Sequence, residues 1–198
     1  MIDKIVELEW KQFDKVKNEG GRASCQNDFE TFAIMRKSQY LTWNEELFNS
    51  YYADLLQAEQ NGWNLIMEKY ARMMQSTAPK QYAELALTLP VRSKEREQIM
   101  EEIIRIQVAW MEQFSEKFPK MAGNARSIHT YEDTAYNTSY ETYLRGELGT
   151  YSEETFVLYG RFITGLLKEE KNLAYETMRN TAMLYGYQSV EEAERKIY

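Results

Sequence analysis

The chain has 198 residues, with 24 Lys plus Arg against 31 Asp plus Glu and a net charge of −7. A chain of this length buries about 70% of the surface its unfolded form exposes, and 43% apolar with 28% charged residues is a globular composition that excludes extensive disorder. The acidic balance, with no block of five or six Lys and Arg to offset it, argues against nucleic acid as a partner.

The first helix is expected over Ile2 to Lys17, with Ile5, Val6, Trp10, Phe13 and Val16 on one face and Gly20 and Gly21 as a left-handed stop. This segment alternates charge with apolar residues, so it reads as neither signal peptide nor membrane anchor. No apolar run approaches the ~20 residues that span a bilayer, and a single cysteine allows no internal disulfide. These features predict a cytoplasmic protein.

A second helix is predicted over Asp28 to Leu41, capped by Asn27 or Asp28. The third starts near the capping-box pattern "TWNE" (Thr42 to Glu45), buries Leu47, Phe48, Tyr51, Tyr52, Leu55 and Leu56, and ends at Asn61 and Gly62. Asn64 caps a fourth, Leu65 to Met74, and a short helix covers Lys80 to Leu87. Ser93 then caps the longest, Lys94 to Phe118, whose Ile99, Ile103, Ile106, Trp110 and Phe114 form the expected buried stripe. A polar loop from Pro119 to Ser139 precedes helices at Tyr140 to Gly149, Ser152 to Glu170, Asn172 to Tyr185 and Val190 to Ile197. Ser189 and Glu192 stand in capping-box spacing at the start of the last.

The order of these segments occurs twice. Trp43 to Met74 lies over Tyr151 to Ala182 without a gap, matching Phe48 to Phe156, Tyr51 to Tyr159, Asn64 to Asn172 and Glu68 to Glu176. Trp10 matches Trp110, "GGRAS" echoes "GNARS", and "FETF" fits "YETY" if the second copy is about a turn shorter. The reading is an all-α bundle of two repeated helical units, an internal duplication packed about a pseudo-twofold axis. It forms a single domain with units at 1–76 and 94–188, a connector at 77–93 and a C-terminal helix at 189–198.

The polar loops hold the candidate chemistry. Arg22, Cys25, Gln26, Asn27 and Asp28 precede a helix N-terminus, where free N–H groups favour an anion, or where the same residues simply cap the helix and pair with acids. Arg126 belongs to the equivalent loop, while Arg36 and Arg145 stand on half-buried helices, where arginine bridges carboxylates or recognises a ligand. Cys25 could be a nucleophile with His129, the only histidine, and Glu132 or Asp133 behind it, or an inert thiol. One histidine and one cysteine make no familiar zinc site, and phosphate-binding and hydrolase motifs are absent, so no metal or cofactor is expected. Gly160 and Gly165 interrupt a helix at a cost of about 1 kcal/mol each relative to alanine, which marks either close packing or an open groove.

The stretches "NEGGRASCQ", "MRKSQ" and "TSYETYLRGELGTYSEET" resemble a bacterial family known as domain-of-unknown-function family 4125, over nearly the whole chain. The resemblance implies a cytoplasmic bacterial protein and brings no activity or site residues with it. Relatives beside nucleotidyltransferase-like domains imply an accessory role.

The functional expectation is non-catalytic binding of a small polar or anionic ligand between the two loops by Arg22, Gln26, Arg36, Arg126 and Arg145. The rival is an interaction module, a homodimer or the partner of a nucleotidyltransferase-like protein, to which the surplus of Tyr, Trp and Met would suit. A thiol enzyme using Cys25 comes third.

Overall fold

The computed structural model describes residues 1–17 and 21–197, and every regular element within them is helical. Helix α1 (Ile2–Asp14) buries Ile5, Val6 and Phe13 together with Glu9 and Gln12. It ends earlier than expected, and Gly20 lies outside the described residues. The physical stop is Gln26, on the 3-10 turn Ser24–Asn27, whose Nε2 donates to the carbonyls of Phe13 (2.8 Å) and Val16 (2.9 Å). Gly21 does adopt a left-handed φ of +87°, but in the linker beyond the helix.

Helix α2 (Phe29–Tyr40) is capped by Asp28, which accepts from the Thr31 amide. For α3 (Glu45–Gln60) the cap is Asn44 and not Thr42, because the Thr42 hydroxyl donates instead to the Gln39 carbonyl. Asn64 caps α4 (Leu65–Thr77) and also donates to the Gln12 carbonyl, tying α4 to α1. A short α5 (Pro79–Leu85) and a 3-10 turn (Ala86–Thr88) lead to α6 (Lys94–Lys117), capped by Ser93. Its buried face carries Ile103, Ile104, Gln107, Trp110 and Phe114, whereas Ile99 is 53% exposed and leaves the expected stripe.

The following polar segment is partly regular, with α7 (Pro119–Gly123) and a 3-10 turn (Thr130–Glu132). The chain ends with α8 (Tyr140–Leu148), α9 (Glu153–Lys168), α10 (Leu173–Leu184) and α11 (Val190–Lys196). Ser189 caps α11 by accepting from the Glu192 amide, while the Glu192 carboxylate accepts from Gln188 N.

Helix α3 packs on α9, α4 on α8, α10 on α2, and α6 on both α8 and α10. A main core results, centred on Leu47, Tyr51, Ile104, Leu148, Tyr159 and Ile163, with a smaller cluster of Phe13, Val16 and Ile66 beside it. Each such side chain contributes about 1.5–3 kcal/mol on burial. The α4–α8 crossing needs Gly146, where a Cβ would lie 2.7 Å from Met73 Cγ and 2.9 Å from the Lys69 carbonyl. Gly160 and Gly165 face an open groove of about 740 Å3 between α6 and α9, and a Cβ at Gly165 would meet nothing within 4 Å. Among the described residues no helix is long and apolar enough to cross a membrane.

Candidate functional site

The centre of the bundle is charged. Glu9 occupies the buried face of α1, and Arg36 of α2 closes on it with Nε at 2.8 Å and Nη2 at 2.6 Å. The remaining guanidinium nitrogen, Nη1, donates to Glu147 of α8 at 2.9 Å and to Gln39 at 2.8 Å. Lys69 of α4 donates to the same Glu147 oxygen at 2.9 Å, and Gln39 and Tyr151 donate to the other. The hydroxyls of Tyr40 and Tyr51 complete the shell of Glu9, each at 2.7 Å.

Two carboxylates thus balance one guanidinium and one ammonium, all four side chains at most 5% exposed. Burial alone would push the Glu147 carboxyl up; the charges of Arg36 and Lys69 outweigh it and hold the group well below the usual carboxylate range. Burial likewise works against the Arg36 cation, but Glu147 and Glu9 keep its pKa well above the ordinary value. Tyr40, Tyr51 and Tyr151 are pushed far above 10 by desolvation, so they remain hydrogen-bond donors.

A cleft of about 1110 Å3 opens beside this network, among α2, α4, α8 and α10. Its volume lies a little above the range usual for small-molecule sites. Arg36, Gln39, Gln107 and Glu147 line its inner part, and both polar loops form its rim, the first through Cys25 and Asp28 and the second through Arg126 and Ser127. Gln107 accepts from the Tyr159 hydroxyl at 2.9 Å, while its buried Nε2 has no hydrogen-bond partner among the described residues.

The sequence-predicted residues divide between cleft and scaffold. Arg36 and Arg126 line the cleft. Arg22 instead ties its own loop, reaching Asp14 Oδ1, Asn27 Oδ1 and the Gln26 carbonyl. Gln26 is only 1% exposed and serves as the cap of α1. Arg145 is taken up by Glu101 and Glu141 on the outside of α8.

Cys25 is exposed on the cleft rim. His129 does not line the cleft; its Nε2 lies 3.2 Å from Glu112 and its ring stacks on Tyr131. Glu132, also on the rim, accepts from the His129 amide, and Asp133 accepts from Ser76, Ser139 and Thr142. The described residues hold no group of three or more His, Cys, Asp or Glu that could bind a metal ion.

Sequence reasoning missed Glu9, Lys69 and Glu147. The signal was available for Glu9, which falls within the apolar spacing of Ile5, Val6 and Phe13 and so had to be buried. It also missed Tyr70 and Tyr143, whose hydroxyls have no hydrogen-bond partner among the described residues and whose rings line the cleft. Arg126 lies over the Tyr143 ring at 4.8 Å, donates once to the Thr138 carbonyl and has no acidic partner among the described residues.

A family model described as "Protein of unknown function (DUF4125)" matches residues 1–195. No curated protein and no solved structure matches the chain.

Proposed function

The chain belongs to the DUF4125 family, and we propose that it acts by binding, without catalysis, a small polar or anionic ligand in the cleft between its two polar loops. The observation that carries this reading is the cleft of about 1110 Å3 whose rim is built by both loops and whose inner wall is a fully paired charge network. Such a wall is fixed in position and already neutral, which suits selective binding better than proton transfer. The setting we propose is cytoplasmic.

The internal duplication belongs to the same proposal. Exchanging the two halves turns the α4–α8 contact into α10–α2 and leaves α3–α9 unchanged, as a pseudo-twofold requires. Asn64 Nδ2 donates to the Gln12 carbonyl, and its counterpart Asn172 donates to that of Trp110. Gly62 and Glu170 share a left-handed backbone, and the next amides, of Trp63 and Lys171, bond back to Ala58 and Leu166.

In this register Gln12 corresponds to Trp110, two residues away from the Trp10–Trp110 match, and Glu9 corresponds to Gln107. Where the first unit has Glu9 and Arg36, the second has Gln107 and Leu144, so charge is absent from both positions together. The missing turn falls at the start of α8, which has 9 residues against 12 in α2, so Tyr140 corresponds to Phe32 and the match of "FETF" to "YETY" is given up. Residues that correspond in this register, Phe13 and Met111 as well as Tyr70 and Met178, line the same cleft, which supports a ligand site on the proposed axis.

The test is native mass spectrometry of gently purified, untagged protein beside its denatured mass. A reproducible small increment that vanishes on denaturation supports the proposal, and a bare chain mass counts against it. A clean multiple of the chain mass would favour the second reading, an interaction module (a homodimer or the partner of a nucleotidyltransferase-like protein). That reading draws on the apolar side chains left open to solvent on the connector, Leu87 at 88% and Val91 at 92% exposure.

A further inference from the structure

The two ends of the cleft differ in chemistry. Tyr70 and Tyr143 come from α4 and α8, which pack together; at the corresponding places on α10 and α2, also packed together, stand Met178 and Met35. One end therefore presents two phenol hydroxyls with no hydrogen-bond partner among the described residues, and the other presents thioethers, continued by Met111 of α6. The phenol end also holds Arg126, whose guanidinium lies over the Tyr143 ring and lacks a carboxylate partner among the described residues. Burial pushes the Tyr70 hydroxyl well above its ordinary pKa, and the nearby Tyr143 adds to that while the Arg126 charge works against it.

An arginine beside two hydroxyl donors matches an oxyanion, and methionines form an adaptable apolar wall. The anion carries a single charge, because the Asp28 and Glu132 carboxylates stand on the rim of the same cleft and would repel a polyanion. We infer that the cleft takes an amphiphilic carboxylate, its head held by Arg126, Tyr70 and Tyr143 and its apolar body laid along Met35, Met111 and Met178. The inference rests on the binding role proposed above and names the ligand class for it.

Octanoate is the probe, titrated calorimetrically into the full-length protein beside acetate, octylamine and octanol. Octanoate binds saturably at one site, acetate does not, and octylamine and octanol bind at least about tenfold more weakly, the margin of one charge-assisted contact. Arg126→Gln, an exposed position, weakens octanoate about tenfold with the circular dichroism spectrum unchanged. Met178→Gln weakens octanoate as well, which a site that reads only the head would not do. Equal binding of octanoate and octylamine, or an unchanged affinity in Arg126→Gln, overturns the inference. Should octanoate fail while the purified protein retains a small mass increment, the ligand class falls and the binding role stands. If octanoate fails and the native mass is bare, both fall.

Discussion

The Arg36 guanidinium meets the Glu9 carboxylate through two parallel hydrogen bonds, from Nε at 2.8 Å and Nη2 at 2.6 Å, with both side chains shut away from water. Removing one member of such a pair strands the other. Arg36→Leu therefore destabilises the fold by about 3–5 kcal/mol, read as a lower urea midpoint. Adding Glu9→Gln removes the stranded charge and recovers part of that loss. A double variant that is no more stable than Arg36→Leu alone would show that the charge on Glu9 is not what Arg36 neutralises.

Glu147 gives the fold an acid limit. Its folded pKa lies well below the ordinary 4.5, so its contribution is fully present above pH 4.5 and drains away as pH falls through and below that value. Glu147→Gln leaves Arg36 and Lys69 without their shared partner and is much less stable at pH 7. The gap between wild type and variant narrows below pH 4.5, where the unfolded wild type takes up a proton that the variant cannot. Urea unfolding at a series of pH values measures the gap, and one that stays constant contradicts the assignment.

Gly146→Ala tests the α4–α8 crossing. The added methyl meets Met73 Cγ, which can turn aside, and the Lys69 carbonyl, which cannot. The expected cost is about 1–3 kcal/mol in chemical denaturation. Gly165→Ala, which meets nothing within 4 Å, is instead neutral or stabilising by up to about 1 kcal/mol.

Glu170 is the one described residue other than glycine with a positive φ, at 54°, in the turn that closes α9. At Gly62, in the turn that closes α3, a left-handed φ of 67° is taken by the residue such a turn favours. Glu170→Gly raises stability by up to about 1 kcal/mol, and a fall in melting temperature would count against strain at that turn.

Elements set by neighbours a few residues apart were legible in the sequence, as the Asn64, Ser93 and Ser189 caps illustrate. Where two local answers compete, spacing alone chose wrongly. Thr42 and Asn44 both suit an N-cap, and Ile99 matches the helical period of Ile103 and Ile106 while lying off the buried face of α6. The charge network was illegible for a different reason, since Arg36 and Glu147 stand 111 positions apart and nothing local joins them. Polar residues in the first loop looked alike in sequence, yet Arg22 and Gln26 spend their hydrogen bonds on the loop and on α1. Arg126 differs because no carboxylate pairs with it among the described residues.

The network also orders events in time. Lys69 leaves the ribosome 78 residues before the glutamate that neutralises it. Until α8 follows, the inner face of α4 carries an ammonium group that has no counter-ion to accompany it out of water. The first half of the chain therefore stays hydrated along that face while it waits, and drying of the interior becomes a late step, gated by the arrival of the second half.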